Sequence, residues 1–538
     1  MSTKIGQSLY EMVLSNLSAG GGASGGPALP PVRPSAAVVP WRQGGAGIEV
    51  YWIRRADELP FMGGWHAFPG GGVSRSDAAL PVTGTPAGAG EGPPAAGFPE
   101  ALGGGTDAPA PDLVPGLVAG ALRELFEETG LLLATPAPDP ARLAEAWRAL
   151  LAQEIGFADV LARLGATLDA SRLVWAGRWV TPPFAPVRFD NRFFLLEWPR
   201  NEPVQPSFHS GECAEGEWIA PREALERVWQ GDGLTAPPIL HILDVLRQDG
   251  VEAGLGRLRD PSETNLGPLR RIEMRPGVLL FPQVTHTLPP AMTTNAYLLG
   301  TGETVLVDPG SPLDEENERL ERALAVARDR LGRKVVAIWL THHHPDHVGG
   351  VARLRSSLGV PVLAHPATAE RLAGRGLAVD GELTDGQRVV LAGDPPFPIS
   401  VVHTPGHAQG HLCFLDETWR SGVVGDLVAG LGTIVIDPPE GDMEAYLGSL
   451  ARLATLRPRV LFPAHGPAVK NAAAKLREYI DHRLWREEKI LDAWSRGLRT
   501  PEEMLPTVYE DVPPQAHPLA QRQILAHLEK LRRVGRIE

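Results

Sequence analysis

The sequence is poor in cysteine, with only Cys213 and Cys413 among 538 residues. These two form neither a CxxC pair nor a disulfide framework, and such sparse use of cysteine is typical of a reducing compartment. No apolar run reaches the roughly 18 residues that a membrane-spanning helix needs. The first residues also lack the apolar core of a secretory signal peptide. We therefore expect a cytoplasmic protein that contacts no membrane.

Positive charge is also in deficit, because 51 lysines and arginines stand against 64 aspartates and glutamates, which gives a net charge of −13. Such a chain repels polyanions, so no stable binding to duplex DNA is expected. Glycine and proline are plentiful, at 60 and 52 residues, which is typical of a loop-rich globular protein. At about 150 residues per domain the length predicts three or four domains, and one hydrophobic core cannot serve them all.

Changes in composition and patterning divide the chain. Apolar alternation that is typical of strands begins at Ala36, a Gly/Pro-rich stretch interrupts it, and α/β alternation resumes after a polar hinge. The sequence predicts a flexible N-terminal tail at 1–35, a first domain at 36–250 with an insertion at 78–116, a linker at 251–272, a second domain at 273–480 and a helical C-terminal domain at 481–538.

Three glutamates share one face of a predicted helix in the first domain. Glu124, Glu127 and Glu128 stand at positions i, i+3 and i+4, so their carboxylates lie together. Crowded carboxylates repel one another unless a divalent cation neutralises them, and hard oxygen ligands suit Mg²⁺ or Mn²⁺. Taken alone, the pattern is equally typical of a solvated acidic helix face.

The residues around these glutamates resemble the Nudix box, G-x5-E-x7-R-E-U-x-E-E-x-G-U. The matching positions are Gly71, Arg123, Glu124, Glu127, Glu128, Gly130 and Leu131. Asp77 stands where the box has its first glutamate, and residues 78–122 lengthen the spacer before the arginine. A long insertion within the box is similar to the Nudix motif 19 type of coenzyme A diphosphatases.

This resemblance implies a Nudix α/β/α fold and hydrolysis of a nucleoside diphosphate linked to another group, with a coenzyme A-like nucleotide as one candidate. Glu127 and Glu128 would bind Mg²⁺ or Mn²⁺, and Glu124 would be a metal ligand or the catalytic base. Arg123 would orient Glu124, and Gly71 and Asp77 would support the site. Because Asp77 and the insertion depart from the box, a module that senses a nucleotide without cleaving it is an open alternative.

A histidine-rich segment follows a short predicted strand in the second domain. His342, His343, His344, Asp346 and His347 lie within six residues. Clustered imidazoles depress one another's basicity and need partners when they are buried, and coordination of a metal ion satisfies both conditions. An incidental histidine-rich loop is the alternative for this segment alone.

Further segments complete a pattern in the second domain. The sequence continues with His403-Thr404-Pro405-Gly406-His407, then Gly425-Asp426, then Pro463-Ala464-His465-Gly466-Pro467, and Asp308 ends an earlier strand. In this order they resemble the metallo-beta-lactamase superfamily with a complete H-x-H-x-D-H signature. The resemblance implies an αββα sandwich with one metal ion bound by His342, His344 and His407, a second bound by Asp346, His347 and His465, and Asp426 bridging the two.

The implied ligands suit two Zn²⁺ ions, without excluding Fe or Mn, in an open catalytic site. Such ions lower the pKa of water, so an ester, thioester or phosphodiester bond is the expected target. Asp346 would orient the attacking water, and Asp308 would support the loop as a hydrogen-bond acceptor. His343 and His403 fall outside the implied ligand set.

The second half as a whole is similar to the beta-lactamase-like 2 type of endoribonucleases, which carry a winged-helix-like C-terminal domain. Lys530, Arg532, Arg533 and Arg536 could contact a phosphate backbone, or they could be the solvated end of a helical cap. The sequence thus predicts a multidomain α/β hydrolase with a small-molecule nucleotide or thioester as substrate. Cleavage of single-stranded RNA recruited by the C-terminal domain is the alternative.

Overall fold

The computed structural model describes residues 32–57, 59, 62–88, 113–181, 187–209, 211–260, 265–266, 269–288, 291, 293–430 and 432–538. Most of the predicted N-terminal tail and the centre of the predicted insertion lie outside these residues. The chain divides into two compact units, which we call the N-terminal unit (Met1–Trp229 with Gly233–Arg270) and the C-terminal unit (Gln230–Asp232 with Arg271–Glu538).

The N-terminal unit contains twelve strands and five helices among its described residues. They are β1 Val32–Gly44, β2 Gly47–Arg55, β3 His66–Ala67, β4 Gly70–Gly72, β5 Val82–Thr83, α1 Leu113–Thr129, β6 Ala134–Thr135, α2 Pro140–Leu151, α3 Phe157–Leu164, β7 Thr167–Asp169, β8 Leu173–Val180, β9 Arg188–Glu197, β10 Cys213–Ile219, α4 Pro221–Gln230, α5 Pro237–Arg259, β11 Asn265–Leu266 and β12 Leu269–Arg270.

A seven-stranded sheet forms the middle layer of this unit. Its order is β10-β2-β1-β9-β8, with β3 paired to β2 and β4 paired to β1. Because strand side chains alternate between faces, Ala36 and Val38 of β1 pack with α1, α2 and α3. Ala37 and Val39 pack on the opposite face with α4 and α5. The result is a helix–sheet–helix arrangement.

Helix α1 is amphipathic, and this fixes the direction of its acidic side chains. Leu122, Leu125 and Phe126 are fully buried against the sheet, which leaves the glutamates near the neighbouring strand β4. The helix ends at Gly130, whose φ of 73° is the left-handed conformation that glycine adopts easily. The hydrophobic side of α1 therefore holds its carboxylates beside Gly70–Gly72.

Residues 251–259, which the sequence placed in a linker, are helical. Helix α5 runs to Arg259 with a break at Gly250. Val251, Leu255 and Leu258 recur at helical spacing and pack against the core of the N-terminal unit. The polar residues between them concealed this apolar stripe in the sequence.

The C-terminal unit contains thirteen strands and eight helices among its described residues. They are β13 Glu273–Arg275, β14 Val278–Val284, β15 Thr293–Leu299, β16 Glu303–Val307, α6 Asp314–Leu331, β17 Lys334–Trp339, α7 Pro345–Val348, α8 Val351–Leu358, β18 Val362–Ala364, α9 Pro366–Ala373, β19 Gly381–Glu382, β20 Arg388–Leu391, β21 Phe397–His403, β22 Leu412–Asp416, β23 Ser421–Gly425, α10 Met443–Thr455, β24 Val460–Pro463, β25 Val469–Lys470, α11 Ala472–Ser495, α12 Pro501–Val508 and α13 His517–Arg533.

Two mixed sheets pack face to face in this unit. Strands β13 to β19 form a seven-stranded sheet and β20 to β25 a six-stranded one, each in sequential order. Trp339 of the first sheet lies against Phe414 of the second, with ring centroids 5.1 Å apart. Helix α6 contacts the first sheet, and α10 and α11 pack on the second. The layers are therefore helix, sheet, sheet and helix.

The parallel strands of both sheets end at the candidate site. Strand β16 ends before Asp308, β17 before the histidine segment, β23 before Asp426 and β24 shortly before His465. Strands β16 and β17 are parallel, as are β23 and β24. Their carboxyl ends therefore lie at the same edge, where open α/β sheets commonly carry their ligands.

The C-terminal helices form a small core of their own. Ile490 of α11, Met504 of α12 and Ile524 and Leu528 of α13 are buried together. Helix α11 begins before residue 481, so it is shared by the segments predicted as the second domain and the C-terminal domain. None of the described helices is long and apolar enough to cross a membrane.

Candidate metal centres

The histidine segment is a tight loop between β17 and the one-turn helix α7. His344 stands at the N-cap of α7, with Pro345 as its first helical residue. Proline is well placed there because its missing N–H would be unsatisfied in any case. The turn places His342 and His344 before the helix and His347 within it, so that the side chains converge on one point.

Three imidazole nitrogens meet in the first half of the site. The Nδ1 atom of His344 lies 3.0 Å from Nε2 of His342 and 2.9 Å from Nε2 of His407. His342 is buried completely. These three residues form a group whose nitrogens are close enough to bind one metal ion.

A second trio lies beside the first. Asp346, His347 and His465 bring their ligand atoms together, and Nε2 of His465 is 3.5 Å from Oδ2 of Asp346. Asp426 stands between the trios. Its Oδ1 is 3.6 Å from Nε2 of His347 and 3.3 Å from Nε2 of His465, while its Oδ2 is 3.5 Å from Nε2 of His407. One carboxylate oxygen thus faces each trio.

Backbone carbonyls fix the ring orientation of two of the histidines. The Nδ1 atom of His407 donates to the carbonyl of Val435 at 2.7 Å. The Nδ1 atom of His465 donates to the carbonyl of Thr293 at 3.1 Å. Because a carbonyl can only accept, each ring carries a proton on Nδ1, and its Nε2 atom faces the site.

Asp308 fixes two more histidines. It accepts from Nδ1 of His347 at 2.8 Å, from the Thr341 amide at 2.8 Å and from the Thr341 hydroxyl at 2.5 Å. The hydroxyl is therefore left to accept from Nδ1 of His342 at 3.0 Å. The Nε2 atoms of His342 and His347 consequently face the inside of the site.

The electrostatics of this centre are compatible with bound metal ions. Burial and the neighbouring imidazoles hold the pKa of His342 well below its usual value, and they lower the pKa of His344 to about 2. Burial opposes ionisation of Asp426, but His465 and His347 hold its pKa well below the usual range. The buried atoms Nε2 of His347 and Oδ1 of Asp426 have no hydrogen-bond partner among the described residues. Burial opposes protonation of His347 and His465, but the facing carboxylates raise the pKa of both. Without a metal ion, positive charge on these two imidazoles balances Asp426, and bound transition-metal ions could take their place.

His411 supports Asp426 from behind and was missed by the sequence analysis. Its Nε2 accepts from the Asp426 amide at 3.0 Å, and its Nδ1 lies 2.8 Å from the Thr404 hydroxyl. A Cβ atom on Gly425 would come within 2.7 Å of Nε2 of His411. Glycine at this position therefore permits the close approach. The available signal in the sequence was a further histidine four residues after His407.

The two histidines left outside the predicted ligand set have other partners. His343 is buried, and its Nε2 lies 3.3 Å from a carboxylate oxygen of Glu440. His403 stacks on His365 with ring centroids 4.2 Å apart and donates from Nε2 to the carbonyl of Gln409. Glu440 is a further residue near the site that no sequence motif indicated.

The N-terminal unit holds the second candidate centre, which Arg123 organises. The Arg123 Nε atom donates to Oδ1 of Asp77 at 2.7 Å, and Nη1 lies 2.7 Å from Oε2 of Glu127 and 2.9 Å from Oε1 of Glu124. Its Nη2 also donates to the carbonyl of Gly72 at 3.0 Å. Asp77 thus takes the place next to the arginine, and Arg123 is surrounded by acceptors from both halves of the interrupted motif.

The carboxylates of α1 are crowded and partly desolvated. Burial raises the pKa of Glu124 to about 7, and burial with the nearby Glu124 raises that of Glu128 to about 8, although the Gly70 amide donates to Glu128 at 2.8 Å. A Cβ atom on Gly71 would lie 2.5 Å from the Glu124 carboxylate. Such a crowded carboxylate cluster is stabilised by a divalent cation, so these residues fit Mg²⁺ or Mn²⁺.

Glu212 adds another negative charge beside these carboxylates. It raises the pKa of Glu124, Glu127 and Glu128, so all three feel its charge. Glu212 directly precedes β10, and its carbonyl accepts from the Ala56 amide. The acidic run around Cys213 was its signal in the sequence.

Three family models match the chain. The metallo-beta-lactamase superfamily matches residues 289–465, the beta-lactamase associated winged helix domain matches residues 500–538, and the NUDT19 Nudix domain matches residues 29–247. These ranges include both groups of candidate metal ligands and the C-terminal helices.

Several curated proteins are similar to part of the chain. The lactamase-like protein aptB of Emericella nidulans is 34% identical over 37% of this chain and 59% of its own length, so less than two thirds of that relative is spanned. The beta-lactamase-like protein 2 homolog of Drosophila melanogaster is 33% identical over 46% of this chain and 86% of that protein. The atrochrysone carboxyl ACP thioesterase of Aspergillus chevalieri is 34% identical over 41% of this chain and 69% of that protein.

A solved structure is also similar to part of the chain. The crystal structure of a NUDIX hydrolase from Alicyclobacillus acidocaldarius is 30% identical and covers 43% of this chain and 98% of that chain, with a TM-score of 0.34.

Proposed function

Because the chain belongs to the metallo-beta-lactamase superfamily and also carries a Nudix domain and a lactamase-associated winged-helix domain, we propose that it is a hydrolase with two separate metal-dependent sites. The predicted family and fold class are thereby confirmed, and both families are families of hydrolases. We assign the Nudix activity to residues 36–250 and the second activity to residues 273–480, and we keep 481–538 as the proposed C-terminal domain. The linker predicted at 251–272 is confined to the residues after Arg259, where helix α5 ends.

The orientation of the imidazole rings carries the proposal for the second site. Four imidazoles have their Nδ1 atoms bound to Thr341, Val435, Asp308 and Thr293, so their Nε2 atoms are the ones that face the site. Such an arrangement would be unfavourable around an empty polar space, and it favours metal ions. We assign the first ion to His342, His344 and His407, the second to Asp346, His347 and His465, and the bridging position to Asp426.

When bound, the ions would supply Lewis acidity and lower the pKa of a water molecule towards neutrality. The protein positions the reactants around them. Asp346 accepts from the Thr294 hydroxyl at 3.4 Å, which leaves its other oxygen to accept a proton from the attacking water. Asp308 and His411 hold the ligands in place, so that little reorganisation is needed during the reaction.

A thioester is the substrate class we propose for this site. Support comes from the similarity to a relative that is named as an ACP thioesterase, which this chain spans over 69% of its length. An ester or a phosphodiester would present the same type of electrophilic centre to the site. The zinc, iron or manganese content is left to the experiment below.

The N-terminal site is proposed to hydrolyse a nucleoside diphosphate linked to another group, such as a coenzyme A-like nucleotide. Glu127 and Glu128 would hold Mg²⁺ or Mn²⁺, and Glu124, whose pKa is raised to about 7, is suited to act as ligand or base. Arg123 positions Glu124 and Glu127 directly. Asp77, although shorter than glutamate, still reaches Arg123, which supports catalysis over nucleotide sensing alone.

The proposal is tested with the purified full-length protein by a metal analysis and a substrate panel. The panel contains acyl thioesters, single-stranded RNA and pyrophosphate-linked nucleotides that include coenzyme A. We expect transition-metal-dependent thioester hydrolysis and Mg²⁺-dependent release of a nucleoside monophosphate. RNA cleavage in place of thioester hydrolysis would support the endoribonuclease alternative.

Two substitutions separate the sites. His344→Ala should remove a bound transition metal and the thioester activity, while Glu127→Gln should remove pyrophosphate hydrolysis and leave the thioester activity intact. Each variant serves as the control for the other. Nucleotide binding without turnover in the wild-type protein would favour the sensing role for the Nudix domain.

A further inference from the structure

The metal ligand His407 depends on a loop that we call the flank loop, residues 432–442. The carbonyl of Val435 in this loop accepts the hydrogen bond that fixes the His407 ring, at 2.7 Å. Glu440 of the same loop lies beside His343. The position of the flank loop therefore decides how His407 faces the site.

Helices α11 and α13 hold the flank loop on both sides of Val435. Arg483 of α11 donates from Nη2 to the carbonyl of Ile434 at 2.5 Å. Gln523 of α13 donates to the carbonyl of Ile436 at 3.4 Å. Arg483 also donates from Nη1 to Oε1 of Gln523 at 2.8 Å, which fixes the orientation of the glutamine. The two residues flanking Val435 are thus held by one connected pair of side chains.

Further contacts from α13 reach the end of the flank loop. Arg522 pairs with Asp437 and donates to the carbonyl of Pro438 at 2.6 Å. Arg533 binds Asp442 with both of its Nη atoms, at 2.6 and 2.7 Å. The cations of α13 that could have contacted a phosphate backbone are therefore partly used within the chain.

The burial of Arg483 shows that these contacts matter energetically. Its side chain is 2% exposed, and among the described residues no carboxylate forms a salt bridge with it. Its guanidinium lies over the Tyr446 ring at 5.6 Å and otherwise donates to Thr433, Ile434 and Gln523. Burying a cation among neutral partners is costly unless its donors are well used. If this position served only hydrophobic packing, an apolar side chain would suffice in place of Arg483.

We infer that the C-terminal helices act as a clamp that positions His407, with Arg483 and Gln523 as positioning residues that work through the flank loop. This inference rests on the proposed metal centre. It gives the C-terminal domain a role in metal retention at the first ion site, and this role requires no nucleic acid.

The test measures metal affinity rather than turnover alone. Full-length Gln523→Leu and Arg483→Met are loaded with Zn²⁺ and titrated with a chelator, and Co²⁺ binding is followed by absorption spectroscopy. Lys489→Met is the matched control, because Lys489 lies on the same helix and pairs with Glu510 at the surface. We expect about a tenfold loss of affinity for one of the two ions, as for partners outside the ligand shell, and a changed Co²⁺ spectrum. The second ion and the control should be unaffected.

Each outcome bears on a different claim. If the wild-type protein binds fewer than two transition-metal ions, the proposed centre is wrong. If it binds two and folded Gln523→Leu retains both with unchanged affinity and spectrum, the clamp is refuted. Arg483→Met tests the clamp only if its circular dichroism matches that of the wild-type protein. If Arg483→Met does not fold, Gln523→Leu, which removes a neutral side chain, tests the clamp alone. The wild-type protein could bind RNA in a salt-dependent manner, and both variants could lose this binding while their metal affinity stays unchanged. Such a result would show that Arg483 and Gln523 serve RNA binding and would refute the clamp.

Discussion

Replacing Asp308 by asparagine should weaken metal binding without unfolding the protein. Asp308 is 2% exposed and accepts three hydrogen bonds, from the Thr341 amide, the Thr341 hydroxyl and Nδ1 of His347. Asparagine has the same shape but replaces one acceptor oxygen with a donor NH₂ group. If its oxygen keeps the amide bond, its NH₂ group faces Nδ1–H of His347. The ring must then lose that bond or move its proton to Nε2, the atom that faces the metal site.

The magnitude follows from the lost interaction. A hydrogen bond to a charged group contributes about 1.5–3 kcal/mol, and about 1.4 kcal/mol corresponds to a tenfold change in affinity. The affinity for the ion near His347 should therefore fall by about 10- to 100-fold, which is the range found for partners outside the ligand shell.

The assay is chelator competition on the zinc-loaded full-length protein, with metal content measured after each step. Asp329→Asn is the control, since Asp329 is exposed on α6 and pairs with its neighbour Arg328. Asp308→Asn should still fold, as judged by its circular dichroism, although the lost hydrogen bonds lower its melting temperature. If folded Asp308→Asn retains wild-type affinity for both ions, the inferred tautomer of His347 and the role of Asp308 are wrong.

Three further predictions concern other parts of the molecule. Gly71→Ala should lower kcat for pyrophosphate hydrolysis with little change in melting temperature. The new Cβ atom would lie 2.5 Å from the Glu124 carboxylate and would push this flexible group out of position. An unchanged kcat would contradict this prediction. Leu125→Ala should lower the free energy of unfolding by about 2–5 kcal/mol in denaturant titrations, because Leu125 is fully buried in the N-terminal core, and a loss below 1 kcal/mol would contradict it. The pKa of Glu487 is lowered because the hydrogen bonds from His527 and Lys530 outweigh burial. The ionised Glu487 therefore stabilises the fold above its unfolded pKa of about 4.3, and this stabilisation is lost as the pH falls through the lower folded pKa. The difference in free energy of unfolding between the wild-type protein and Glu487→Gln should therefore shrink below pH ~4. A difference that does not change with pH would refute the pairing.

Local patterns were sufficient to predict the families, the layered α/β folds and the groups of residues at both candidate sites. The signal was strong because ligands such as His342, His344 and His347 are close in sequence, and because Glu124, Glu127 and Glu128 share one helical face. The comparisons confirm the predicted fusion of a Nudix domain with a metallo-beta-lactamase domain and a winged helix. The individual ligand roles and the domain boundaries stay predictions.

The structure changed the interpretation of two segments. Residues 251–259 are a helix rather than part of a linker, because Leu258 and its helical neighbours bury an apolar stripe that the surrounding charges concealed. Arg533, in the basic C-terminal run, is paired with Asp442, a residue far away in the sequence. Composition counts charges but carries no information about which of them are already neutralised.

The sequence by itself determined which atoms could bind metal, because the residue types and their spacing are local properties. The tertiary structure alone decided how those atoms are oriented, since the partners that fix them come from distant segments. Val435 fixes His407, Thr293 fixes His465, and His411 holds the backbone of Asp426. Arg483 and Gln523 hold the flank loop from two helices near the end of the chain. A hydrogen bond between a side chain and a backbone carbonyl leaves no residue-specific signature in the sequence of the acceptor, so these contacts became visible only when the two sheets and the C-terminal helices were packed together.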